Sequence, residues 1–237
     1  MNDRIWVIVP AAGAGSRMGA ELPKQYLPLL GKTILEQTLD ALLAYPSISH
    51  LYLPVSPSDA VWSGLSPAYR GRVTSLEGGT ERVDSVLNAL CHLPGARSED
   101  WVLVHDVARP CIRHADLDRL FNTLHASEVG GLLGGRVSDT MKRTNPDGTI
   151  IQTVPRDNLW RAYTPQMFRY GLLRKAIEDA REAGLLVTDE ASAIEYLGLA
   201  PLMVQGADDN IKITYPRDLE LAALFLERIV KEEKRDQ

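Results

Sequence analysis

The sequence predicts an α/β fold, a mostly parallel sheet covered by helices, and three observations carry that reading. Short apolar runs rich in Val, Ile and Leu alternate with segments whose apolar residues recur at helical spacing. The run Trp101-Val-Leu-Val104 is apolar throughout, as a strand buried on both faces must be. The first apolar run breaks directly into a Gly-rich turn, PAAGAGSRMG, as a strand entering a crossover does. Such alternation builds βαβ units with right-handed connections.

Taken in order, Ile5–Val9 reads as a strand, Thr33–Ala44 as a helix, and Leu51–Val55 and Val73–Leu76 as strands. Glu81–Leu93 is helical, Trp101–His105 is a strand and Ala115–Ser127 is helical. After Gly135 the pattern changes: Val137–Arg143, the turn Asn145-Pro-Asp-Gly148 and Thr149–Val154 read as a hairpin. Its flanks are polar, and a freestanding hairpin is marginal in water, so the reading is an arm docked on a partner. Tyr170–Ala183 is a helix stopped at Gly184. Thr188–Tyr196 is a helix capped by Thr188, with Asp189 and Glu190 near its N-terminal dipole. Asn210-Ile-Lys-Ile-Thr214 reads as a closing strand before a helix from Pro216 to about Lys231. The trailing KEEKRDQ is expected to fray.

At 237 residues the chain suits a single domain, residues 1–237, with the arm at about 137–154. A formal charge of −5 excludes a broad nucleic-acid footprint, so phosphate binding has to be local. Cys91 and Cys111 form no C-x-x-C, which indicates neither a zinc knuckle nor a redox pair and fits a reducing compartment. The apolar run near the N-terminus is too short for a signal sequence or a membrane span, and a cytoplasmic protein is expected.

In open α/β sheets ligands lie beyond the carboxyl ends of the strands, so the residues following each run carry most weight. Gly13 and Gly15 let backbone N–H groups approach an anion, and Arg17 and Lys24 add full positive charge. The glycines at 13, 15 and 19 are one residue out of step with a dinucleotide fingerprint, and no G-K-[ST] closes a P-loop. On spacing alone, a polyphosphate cradle and an ordinary strand-to-helix turn with two solvated cations both remain open. Asp106, opening HDVARP, can receive a ribose hydroxyl, face a divalent cation or cap its own turn. Arg109 can pin a phosphate or pair with an acid, and His105 reads as a strand-end histidine. In Glu77-Gly-Gly-Thr-Glu-Arg82, backbone freed by Gly78 and Gly79 can read a base edge, with Ser85 within reach of a sugar. Arg156 and Lys212, taken singly, read as surface cations. No Ser-His-Asp, Cys-His or H-E-x-x-H pattern is present, which leaves positioning and charge neutralisation, the means by which nucleotidyl groups are transferred.

Taken together, PAAGAGSRMGAELPKQYLPLLGKTILE, GGTERVDSV, WVLVHDVARP, VSDTMK, LWRAYTPQ, TDEASAIEY and DNIKIT resemble the 2-C-methyl-D-erythritol 4-phosphate cytidylyltransferase family across nearly the whole chain. The first motif marks only the wider nucleotidyltransferase superfamily, and the later ones select this family. The resemblance implies a Rossmann-like three-layer sandwich with a mostly parallel mixed sheet and a protruding β-arm for dimerisation. It implies transfer of CMP from CTP to methylerythritol phosphate with release of pyrophosphate, in non-mevalonate isoprenoid synthesis. Mg²⁺ or another divalent cation is implied as cofactor, with Asp106 facing it directly or through water. A homodimer formed by arm exchange is implied too.

Carried over by residue, Pro10, Ala11, Ala12, Gly13, Ala14, Gly15 and Gly79 would surround the cytosine and triphosphate, with Ser85 and Asp106 beside the ribose. Thr80 occupies a base-contacting position where Asp is usual, and Val107 replaces the usual Ala. Arg17 and Lys24 match the pair that stabilises the pentavalent transition state. Arg156 and Lys212 match the pair that positions the incoming phosphate, helped by Arg109, Thr140, Thr164 and Thr188; with an exchanged arm, Thr140 and Arg156 serve the neighbouring site. No fused cyclodiphosphate synthase segment follows, so one activity is expected. Two rivals are a ribitol-5-phosphate cytidylyltransferase and a catalytically silent nucleotide-binding regulator.

Overall fold

The computed structural model describes residues 4–13 and 22–233. Strand β1 (Ile5–Ile8) leads through the small hairpin β2 (Pro28–Leu29) and β3 (Lys32–Thr33) into α1 (Ile34–Leu43). Then come β4 (Leu51–Val55), α2 (Ala60–Leu65), β5 (Val73–Glu77), α3 (Arg82–Cys91), β6 (Trp101–Val104) and α4 (His114–Leu124). The second half holds β7 (Gly130–Arg136), the arm strands β8 (Met141–Thr144) and β9 (Ile150–Val154), and the long β10 (Trp160–Arg169). Helices α5 (Tyr170–Glu182) and α6 (Glu190–Tyr196), strand β11 (Leu202–Gln205) and α7 (Pro216–Glu233) complete it.

Among the described residues, seven strands form the main sheet in the order β11-β7-β10-β6-β1-β4-β5. β10 runs antiparallel to both its neighbours and the other pairings are parallel, so the expected mixed α/β sheet is present. The period-2 alternation of each strand divides the core between two faces. Val7, Leu51, Leu53 and Leu103 pack beneath Leu35, Leu39 and Leu42 of α1 and Leu117 and Leu120 of α4. Trp6, Ile8, Val102 and Val104 pack on the opposite side against α3, α5 and α6. Helix α7 closes a smaller third cluster over Leu29, Ile34, Cys111 and Ile213. No helix among the described residues is long and apolar enough to cross a membrane.

Where a helix begins, the sequence shows why. Thr33 Oγ1 accepts from the Glu36 N–H at 3.1 Å while Glu36 Oε2 accepts from the Thr33 N–H at 2.7 Å, a complete capping box for α1. At α6 the expected cap is corrected: Asp189, not Thr188, takes the N-cap position, and Ser192 supplies the reciprocal side chain. Gly184, at φ 67°, ends the α5 turn in the left-handed region as expected.

The second correction concerns residues 210–214, which form no strand. β11 occupies the edge of the sheet instead, and the segment lies across the carboxyl ends of the strands. Its backbone is satisfied there, with Ile213 N–H donating to Ala108 O at 2.9 Å and Arg109 Nη1 donating to Asn210 O at 2.7 Å. The arm is shorter than its sequence pattern, since pairing starts at Met141, and its strands are exposed, with Ile150 63% and Ile151 56% accessible.

Candidate active site

A cleft of about 250 Å³ opens at the carboxyl rim of the sheet, and ten of the anticipated residues line it. They are Pro10, Ala11, Ala12, Gly13, Lys24, Gly79, Thr80, Ser85, Asp106 and Lys212. The turn following β1 supplies the first four, the turn before α3 supplies Gly79 and Thr80, the first turn of α3 supplies Ser85, and Asp106 follows β6. Ala14, Gly15 and Arg17 lie outside the described residues. A smaller cleft of about 180 Å³ adjoins the first and is lined by Arg109, Thr164 and Thr188. Arg82, Asp106 and Lys212 belong to both and form the seam between them. Thr140 and Arg156 line neither; both are exposed at the arm, where the Arg156 guanidinium donates to the Ser138 carbonyl.

Backbone proximity shapes the first cleft. A Cβ on Gly78 would stand 2.3 Å from Ala12 Cβ, and one on Gly79 would stand 2.2 Å from Asp84 Cβ. The two turns can therefore meet only because Gly78 lacks a side chain, and the second turn can fold onto the start of α3 only because Gly79 does. Ser85, buried, accepts from the Gly79 N–H at 3.0 Å and so holds that turn closed. Gln25, also buried, donates to Ala11 O at 2.8 Å and fixes the opposite wall. Lys24 enters from a 3₁₀ turn and donates to Ile213 O at 3.2 Å.

Asp106 is the electrostatic centre, 7% exposed. Arg82 Nε donates to Oδ1 at 2.8 Å, Lys212 Nζ lies 2.8 Å from Oδ2, and Arg109 Nε lies 3.8 Å from Oδ2. Burial alone would raise its pKa, but Arg82, Lys212 and Arg109 outweigh that and hold the carboxyl far below the usual range. It is ionised at any working pH. Burial likewise disfavours the Arg82 charge, and Glu190 and Asp106 more than restore it. For Arg109 burial prevails and pulls its pKa down, with Asp106 opposing.

Behind the carboxylate lies a chain of directed bonds. The Asp106 N–H donates to Thr164 Oγ1 at 2.9 Å, the Thr164 hydroxyl reaches His105 Nδ1 at 3.1 Å, and His105 Nε2 contacts Arg109 O at 2.9 Å. Burial pulls His105 down to about 4, against the Arg109 carbonyl and Asp106, so the ring is neutral with its proton on Nε2. His105 is thus a structural strand-end histidine that orients both the aspartate turn and Arg109.

Sequence reasoning missed several contributors. Arg82 and Gln25 line the first cleft, and Gln166 and Asp189 line the second. Gln166 bridges the wall, donating to Asp189 Oδ2 at 3.0 Å and accepting from the Ala191 N–H at 2.9 Å. For Arg82 a signal existed: it opens a helix right after a Gly-rich turn at the carboxyl rim of the sheet. Nothing comparable marks Gln166 or Glu190.

The two clefts offer fixed backbone, the buried, ionised carboxylate of Asp106 at their seam and several cations rather than a nucleophile and its base. Such a site works by holding two anionic reactants together and neutralising their charge, and on a mostly parallel α/β sheet that defines a nucleotidyltransferase. The family model for 2-C-methyl-D-erythritol 4-phosphate cytidylyltransferase matches residues 5–228, and the chain belongs to that family. It is 57% identical over 234 residues to the 2-C-methyl-D-erythritol 4-phosphate cytidylyltransferase of Hahella chejuensis, covering 98% of this chain and 97% of that one. It is 50% identical over 216 residues to the protein so named from Pseudomonas paraeruginosa, covering 90% and 92%. The crystal structure of the Francisella tularensis 2-C-methyl-D-erythritol 4-phosphate cytidylyltransferase superposes with a TM-score of 0.82 at 36% identity, over 94% of this chain and 99% of that one.

Proposed function

We propose that the chain transfers CMP from CTP to 2-C-methyl-D-erythritol 4-phosphate. A phosphate oxygen of the polyol attacks the α-phosphorus, the new P–O bond forms as the bond to the β-phosphate bridge breaks, and pyrophosphate leaves. The observation that carries this reading is the pair of adjoining clefts meeting at Asp106, Arg82 and Lys212. The cleft beside Pro10–Gly13 and Gly79 would take the nucleotide, and the one beside Arg109, Thr164 and Thr188 the polyol phosphate.

In this reading Arg17 and Lys24 stabilise charge that develops around phosphorus, and Lys212 steers the incoming phosphate with Arg109 and Arg156. Interactions that strengthen only in the transition state are the ones that raise kcat. Among the described residues no group of three or more His, Cys, Asp or Glu is placed to hold a metal. Asp106, ionised and at the seam, fits a cation carried mainly by substrate phosphates, as Mg²⁺ commonly is. When bound, Mg²⁺ would supply charge neutralisation on the phosphates.

The exposed arm, with Thr140 and Arg156 lining neither cleft of their own chain, supports a homodimer in which each arm completes the other site. Two free thiols, Cys91 and Cys111, are in keeping with a cytoplasmic enzyme. The test is a pyrophosphate-release assay crossing CTP, UTP and ATP with methylerythritol and ribitol phosphates. Turnover confined to CTP with methylerythritol phosphate is expected; preference for ribitol phosphate, or no release at all, overturns the assignment.

A further inference from the structure

One guanidinium ties the two clefts to a third element. Arg82 Nε donates to Asp106 Oδ1 at 2.8 Å, while Nη1 and Nη2 donate to Glu190 Oε1 and Oε2 at 2.6 and 3.0 Å. Glu190 is 1% exposed, opens α6 and lines neither cleft. Arg82 opens α3 immediately behind the turn that closes the nucleotide side, and Thr188 and Asp189, which wall the polyol side, directly precede Glu190. A bidentate grip on a carboxylate fixes direction as well as distance, and a planar fork cannot rotate about it freely. Glu190 therefore sets the plane of Arg82, and Arg82 occupies Oδ1 of Asp106 and leaves Oδ2 to Lys212.

We propose that Arg82 and Glu190 are positioning residues that couple the two substrate clefts, so that filling either one tightens the other. The proposal rests on the assignment of those clefts to CTP and a polyol phosphate. A nucleotide that orders the Gly78–Glu81 turn, the start of α3 and Asp106 also orders the guanidinium they share. The order passes through Glu190 to the wall at Thr188 and Asp189, so the second ligand meets a site already arranged. Linkage makes the effect reciprocal: each ligand changes the affinity of the other by the same factor.

The test is calorimetric titration of the full-length chain in Mg²⁺, using a CTP analogue with a methylene bridge between the α and β phosphorus atoms and 2-C-methyl-D-erythritol 4-phosphate. In the unsubstituted chain, saturation with either ligand should tighten the other by ~5-fold or more. Glu190→Gln, which keeps the side-chain shape, should bring that factor below ~2-fold while each single-ligand affinity stays within ~3-fold. Arg82→Lys keeps a charge beside Asp106 but cannot grip both carboxylates, so its coupling factor should collapse as well; it carries the test if Glu190→Gln does not fold. Coupling absent from the unsubstituted chain, or unchanged in a folded variant, overturns the proposal. So does a fall in both single-ligand affinities with the coupling factor kept, which is the mark of a purely architectural role. Failure of the functional assignment shows itself separately, as absence of pyrophosphate release by the unsubstituted chain.

Discussion

Lys212 Nζ rests 2.8 Å from Asp106 Oδ2, at the seam where the two clefts meet. The lysine can turn from the carboxylate toward an incoming phosphate without leaving the seam. Lys212→Gln should therefore lower kcat/KM for the polyol phosphate by ~30-fold, within the range for one lost charged hydrogen bond, with KM for CTP nearly unchanged. Steady-state pyrophosphate release with each substrate varied in turn measures both. An equal loss for CTP would place Lys212 on the nucleotide.

Lys24 lines the larger cleft and is steered by the Ile213 carbonyl at 3.2 Å. If it serves developing charge, Lys24→Ala should cost kcat ~100-fold or more, the scale for removing one transition-state partner. Single-turnover kinetics separates this from binding, and a variant with near-normal kcat rejects the role.

The arm leads to a complementation experiment. Neither Lys24→Ala nor Arg156→Ala homodimers should be active, but a mixed dimer would rebuild one intact site from the cleft of one chain and the arm of the other. Co-expression with two different tags, purification of the heterodimer and assay of CMP transfer measure this. Inactive heterodimers, or a fully active monomer in sedimentation, would refute arm exchange.

His105 predicts a stability window in pH. Its pKa falls from 6.5 in the unfolded chain to about 4 in the fold, chiefly through burial, so the unfolded state binds the extra proton between these values. Stability is undiminished above the upper value and declines as the pH drops toward the lower one, by up to about 3 kcal/mol. Asp106, with its pKa depressed from 3.8, adds a loss only below that value. Urea melts from pH 7 to 4 should show the slope, and His105→Gln should flatten it whatever its effect on absolute stability.

Much of this architecture could be read from residues alone, and what escaped has physical reasons. Strands buried on both faces leave uninterrupted apolar runs, which is why 51–55 and 101–104 stood out. β10 did not, because Pro165 interrupts its ladder and the register shifts between Ala162 and Gln166. β7 hid behind its glycines, which carry little strand signal. Asn210–Thr214 looked like a strand because polar and apolar residues alternate. In the fold that alternation serves other ends: Asn210 Nδ2 donates to Thr164 O at 2.9 Å, and Ile213 packs beneath α7. At the site, glycines and cations at strand ends were legible because chemistry restricts the residue type there. The partners of Arg82, 24 and 108 positions away, were not, since only the tertiary fold brings them together.

Residues 210–214 follow every described strand of the sheet in the order of synthesis. Ile213 supplies the carbonyl that steers Lys24, and Lys212 supplies the cation at the seam. Framework and chemistry are thus separated along the chain: the last strand of the sheet ends at Gln205, and the seam draws on residues beyond it. A chain cut before residue 210 would keep every described strand and lose the cation at the seam together with the carbonyl that steers Lys24.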